Sequence, residues 1–149
     1  MVVGTPFNIK IPSINVDAGV EYVSTASDGT MDVPKNPLNT AWYKLGPQPG
    51  EIGSAVINGH VDWENRSDAV FTYLHNLKQG DKVIVQDNQG LVTSFTVRTS
   101  RTYDQKADAS EIFISNDGKA HLNLITCKGV WDKNSKTYSQ RLVVFTDKE

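Results

Sequence analysis

The sequence predicts an all-β fold, a barrel or sandwich with a small helical decoration. Three observations carry that prediction. About eight short apolar segments alternate or cluster as strands do, turn residues separate most of them, and one stretch alone has helical spacing. At 149 residues the chain is expected to form a single domain over 1–149, long enough to bury a core.

Phe7-Asn8-Ile9-Lys10-Ile11 alternates apolar and polar, the period-2 mark of a half-buried strand, and Pro12 ends it or places it on an edge. Residues 16–23 form a second short strand. Ser27-Asp28-Gly29-Thr30 is a turn, and 31–34 a short extended piece. Prolines at 34, 37, 47 and 49 surround Trp42, Tyr43 and Leu45, which predicts an ordered loop with buried aromatics and room for one helical turn. Residues 54–61 are a compact apolar strand running into Gly59-His60. Ser67 or Asp68 can cap a helix in which Phe71, Leu74 and Leu77 recur at i, i+3 and i+6, and Gly80 stops it. Strands at 82–86 and 91–98 flank the hairpin connection Asp87-Asn88-Gln89-Gly90, the second reaching toward Tyr103. Residues 104–118 are polar around Ile112-Phe113-Ile114, a short helix or 3₁₀ turn. Two apolar strands, 122–127 and 141–145, close the chain.

The formal charge of −2, with no basic run or Lys/Arg stripe, argues against nucleic acid or an anionic membrane surface as partner. A lone cysteine leaves no internal disulfide and no Cys-rich zinc site. No apolar run approaches the roughly 18 residues that span a bilayer, and no signal-peptide core opens the chain.

That cysteine, Cys127, sits at the end of an apolar run with Gly129 just beyond. A free cysteine is most often a small buried hydrophobe, but a strand end beside a glycine keeps a nucleophile open on equal terms. Antiparallel pairing of the last two strands makes Cys127 and Arg141 neighbours. Asn123, Ile125 and Cys127 then share one face, Leu122, Leu124 and Thr126 the other, and Arg141, Val143 and Phe145 a face of the last strand. A guanidinium beside a thiol favours the thiolate and can donate to an oxyanion; an isolated arginine there is more often a solvated edge residue. A nucleophilic thiol also wants an imidazole. His121 lies six residues away on the same strand face, roughly 20 Å at about 3.3 Å per residue, and His75 sits between Leu74 and Leu77, a packing or surface position. Elimination makes His60 the best candidate.

Asn58-Gly59-His60 after an apolar strand, Leu124-Ile125-Thr126-Cys127 on a later one and Arg141 opening the last together resemble the sortase family. The resemblance spans the chain from the first strand to Phe145. The family's usual signature is Thr-Leu-x-Thr-Cys; Leu124, Thr126 and Cys127 match it, and Asn123 stands in the first threonine position. The segment 46–60 is more similar to the class D, E and F types than to class A.

The resemblance implies a closed eight-stranded barrel with one or two short helices, and a cysteine transpeptidase on the outer face of a Gram-positive-type cell membrane. A membrane anchor would precede the domain. The implied substrate is a Leu-Pro-x-Thr-Gly-like sorting signal of surface proteins, cut between Thr and Gly. Cys127 would form a thioester with the Thr carbonyl. His60 would protonate the leaving amine and later deprotonate the incoming one, and Arg141 would hold substrate and oxyanion. The acceptor would be an amine of peptidoglycan precursor or pilin.

Thr126 and Trp131 are candidate substrate-binding residues; Trp63 and Trp131 can line a peptide groove and can equally be packing residues. Asp62, two residues from His60, is taken as a solvated loop carboxylate. No cofactor is expected. Asp104, Asp108, Glu111 and Asp117 match no standard calcium loop, though some sortases bind calcium in a comparable one. A cysteine peptidase using water as acceptor, and a non-catalytic peptide-binding barrel, are the alternatives.

Overall fold

The structure, a computed structural model, describes residues 2–63, 68–134 and 137–149, with the backbone alone at 128–132 and 137. Its strands are β1 (Pro6–Ile11), β2 (Val16–Val23), β3 (Thr40–Tyr43), β4 (Gly53–Asn58), β5 (Lys82–Asp87), β6 (Val92–Asp104), β7 (Ala120–Asp132) and β8 (Thr137–Lys148). They close into a barrel in the order β1-β2-β3-β4-β7-β8-β6-β5, and β5 pairs back with β1. Closure removes both free edges. The pairs β2–β3 and β4–β7 are parallel and the rest antiparallel.

Alternation along the strands builds two apolar layers. Ile9, Ala18, Trp42, Ile57, Val83, Phe95, Leu124 and Val144, one or more from every strand, pack together and so define the barrel interior. Opposite neighbours of some of these, Val56, Ile125, Val143 and Phe145, form a second cluster with Ile112 on the outside of β4, β7 and β8. The connection between β6 and β7 folds over that outer face. Asn123 pins it there, donating from Nδ2 to the Ile112 carbonyl at 2.7 Å, beside a 3₁₀ turn at Ser110–Ile112.

Three expectations need correction. The proline-rich stretch holds a strand, β3, whose Thr40, Ala41 and Trp42 are all buried between β2 and β4. The predicted helix is instead a turn followed by a 3₁₀ turn at Leu74–Asn76; its Ser67 cap lies outside the described residues. Phe71, Leu74 and Leu77 do bury, plugging one end of the barrel, but spacing of three repeats the 3₁₀ period rather than the α period. Finally, Cys127 does not end its strand. β7 continues to Asp132, with the register against β8 shifting between Lys128 and Trp131, so the thiol precedes a bulge rather than a free turn, and β8 begins at Thr137, so Arg141 lies within the last strand rather than opening it.

Candidate active site

The register of the last two strands places Cys127 directly across from Arg141. Both belong to the outer face, as Ile125 and Val143 do before and after them. The cysteine is exposed, and it opens onto a cleft of about 250 Å³ lined by Val61, Asp62, His75, Thr126, Tyr138 and Leu142 among others. Arg141 is half-buried, and its Nε is buried with no hydrogen-bond partner among the described residues. A buried donor left unpaired costs roughly 1–3 kcal/mol.

His60 reaches the same region along the neighbouring strand. Parallel pairing sets Asn58 beside Ile125, and the Gly59 amide continues the ladder by donating to the Ile125 carbonyl at 3.1 Å. Two residues on from that pair stand His60 and Cys127. The Thr126 hydroxyl, itself buried, donates to the Gly59 carbonyl at 2.8 Å and locks the two strand ends together. Gly59 has no room for a side chain: a Cβ there would lie 2.6 Å from Val70 Cγ1 and 2.7 Å from Phe71 Cδ2. That close approach lets the Phe71 amide reach the His60 carbonyl at 3.0 Å. The His60 ring is fixed on two sides. Its Nε2 donates to the Pro34 carbonyl at 2.7 Å, and its face meets the Trp63 ring edge-on at 5.0 Å between centroids. A carbonyl only accepts, so Nε2 carries a proton. Among the described residues no hydrogen bond joins His60 to the thiol.

Electrostatics at the sulfur are divided. Burial against the cleft walls pushes the Cys127 thiol up, the Asp62 carboxylate pushes it further, and Arg141 pulls it down. The Asp62 carboxylate also accepts a short hydrogen bond from the Tyr138 hydroxyl. Burial first, and then that bond, push Tyr138 up to about 12.

Sequence reasoning placed Cys127 and Arg141 as direct neighbours and chose His60 by elimination; the parallel pairing of β4 with β7 puts it on the adjoining strand end. Asp62 is exposed, as expected of a loop carboxylate, but it is tied to Tyr138 and faces the cysteine. Asp62's position two residues after His60 was the available signal; Tyr138 had none, being 76 residues from its partner. His75, set aside as a packing or surface residue, also lines the cleft. Thr126 lines it too, with its hydroxyl committed to Gly59. Trp131 pairs in register with Tyr138; its side chain lies outside the described residues.

The four carboxylates from Asp104 to Asp117 each meet a partner within the protein. Glu111 accepts from Arg101 at 2.9 Å and from the Tyr103 hydroxyl, and Asp117 binds His121 Nε2 at 2.7 Å. Asp108 caps the Ser110 amide, and Asp104 faces Gln140. Among the described residues no three His, Cys, Asp or Glu side chains converge as metal ligands.

A family model described as "Sortase domain" matches residues 9–149. Solved structures share the fold. Sortase A from Corynebacterium diphtheriae superposes with a TM-score of 0.74 at 19% identity, over 99% of this chain and 62% of that one. Sortase C-1 from Actinomyces oris gives 0.73 at 23% identity, over 95% and 72%. Sortase C2 of Group B Streptococcus pilus island 1 gives 0.72 at 23%, over 95% and 72%. The chain thus spans under two thirds of the Corynebacterium protein's length. No curated protein sequence matches it significantly.

Proposed function

The chain belongs to the sortase family, and from that premise we propose that it is a cysteine transpeptidase acting on a Leu-Pro-x-Thr-Gly-like sorting signal. The observation that carries this reading is Arg141 placed directly across from an exposed thiol that opens onto a cleft. Cys127 Sγ, as thiolate, bonds to the Thr carbonyl carbon, and the oxygen takes the displaced pair. Arg141 donates to that oxyanion and lowers the thiol toward the thiolate beforehand. His60, protonated, gives its proton to the leaving glycine nitrogen as the C–N bond breaks, leaving a thioester on Cys127. An amine from cell-wall precursor or pilin then attacks, His60 takes its proton, and the thiolate leaves. The ring must release the Pro34 carbonyl or use Nδ1 to do so; hydrogen bonds that are open in a free enzyme commonly close in the substrate complex. Among the described residues no helix is long and apolar enough to cross a membrane; a place at the outer membrane face belongs to this reading through the family alone.

The test is a peptide library holding the Thr-Gly bond constant, read by intact mass for a thioester on Cys127, with and without added triglycine. A ligated product identifies a transpeptidase, and hydrolysed peptide alone a peptidase. His60→Ala should abolish adduct turnover, whereas His75→Ala should keep it. Absence of any adduct across the library, or the reverse order of the two histidine variants, overturns the assignment.

A further inference from the structure

Asp62 presents a physical puzzle within that reading. A carboxylate facing the sulfur works against the thiolate that begins the reaction. Its partner does not explain it as a structural fixture either. Tyr138 donates to Oδ2, while Oδ1 has no hydrogen-bond partner among the described residues, and the carboxylate is exposed in the cleft. A negative charge that hinders the first half-reaction is accounted for if it serves the second, where the attacking group arrives as a cation. A peptide α-amino group has a pKa of roughly 7.7–8.0, so most of it is ammonium at pH 7.

We propose that Asp62, oriented by Tyr138, is the binding site for the ammonium group of the acyl acceptor, making this side of the cleft the acceptor subsite. The inference rests on the transpeptidase reading above. Arg141 and Asp62 then act on Cys127 with opposite charge: the guanidinium, across the strand pair, faces the acyl donor's carbonyl, and the carboxylate in the cleft receives the acceptor. The docked ammonium loses one proton to solvent. The free nitrogen pair bonds to the thioester carbon, the C–S bond breaks with its pair going to Cys127 as thiolate, and the second nitrogen proton goes to His60. The Tyr138 hydroxyl stays a hydrogen-bond donor throughout, since its raised pKa keeps the phenol protonated. It holds the carboxylate in place and leaves Oδ1 for the ammonium.

The experiment compares two acceptors on the wild type and on Asp62→Asn, with thioester formation followed separately by mass. Triglycine is largely ammonium at pH 7; hydroxylamine is a neutral nucleophile there. Asp62→Asn should raise the triglycine concentration for half-maximal ligation tenfold or more. Capture by hydroxylamine should not weaken, and the thioester should form at least as fast. Tyr138→Phe should shift the triglycine dependence in the same direction by a smaller factor. A triglycine dependence within twofold of wild type in Asp62→Asn, or equal losses with both acceptors, overturns the acceptor assignment alone. A wild type that forms no thioester overturns the transpeptidase reading itself.

Discussion

Replacing Arg141 separates the arginine's two proposed tasks. The side chain contributes one positive charge beside the thiol and one fork of donors, of which the buried Nε is unpaired among the described residues. Arg141→Ala removes both. Loss of a single oxyanion donor costs about 2.7–4 kcal/mol of barrier, so kcat/KM for thioester formation should fall by roughly 10²–10³. The thiol, no longer pulled down, should alkylate with iodoacetamide along a pH profile displaced upward. Arg141→Lys keeps the charge but not the planar fork, and should hold the alkylation profile near wild type while turnover stays at least tenfold down. Stability should move the other way. The Nε is an unsatisfied buried donor whose penalty lies in the range of about 1–3 kcal/mol, toward the lower end because the side chain is only half-buried. Arg141→Ala should therefore keep its melting temperature or gain roughly 2–4 °C. Turnover within threefold of wild type, or a collapse of the melting temperature, would refute the argument that this arginine is held for the reaction.

Two other perturbations follow from hydrogen bonds near the site and far from it. Thr126→Val keeps the shape but leaves the buried Gly59 carbonyl without its donor, costing about 1–3 kcal/mol, or roughly 2–4 °C of melting temperature for each kcal/mol. Turnover should drop with it because the His60 turn loses its tie, and Thr126→Ser should restore both; calorimetry beside the peptide assay checks this. On the far side of the barrel, burial pushes the Asp87 carboxyl up, but the amides of Gly4, Leu91 and Gln89 outweigh it and hold it below the ordinary range. A depressed carboxylate stabilises the fold above its unfolded pKa of about 3.9, and that contribution disappears as pH falls through the folded value. Asp87→Asn should thus melt lower at pH 7 and lose less on acidification below pH 4 than wild type, as a pH series of melting curves will show.

The parts of the fold legible in the sequence are those where one face is wet. β1, β5 and β6 alternate because one side of each faces the interior, and the period-2 pattern records it. β3 was illegible because it has no wet side to record: it is four residues long, lies between two neighbours and follows prolines that suggest a loop. The segment around Leu74 misled for a different reason. Burial of Phe71, Leu74 and Leu77 is a tertiary fact, and apolar residues three apart are served equally well by a turn closed with 3₁₀ bonds. At the site, cross-strand register was recoverable from pairing alone, which is why Cys127 and Arg141 met. The contact between a loop side chain and a strand one was not, since nothing local in Asp62 or in Tyr138 of β8 records the other.

Asp62 changes the physical account of the thiol. From Arg141 alone one expects a cysteine tuned toward thiolate. With burial and Asp62 acting against it, the thiol is raised instead, so at neutral pH the sulfur rests protonated. Attack then draws on a minor thiolate population, and any donor to the oxyanion carries correspondingly more of the rate. The arrangement has a compensating use. A resting thiol at an exposed position resists oxidation and stray alkylation, both of which follow the thiolate. Bringing a substrate carbonyl onto the Arg141 guanidinium supplies an acceptor at the moment charge develops on it, so selectivity for acylation comes from the carbonyl's arrival rather than from a permanently activated sulfur.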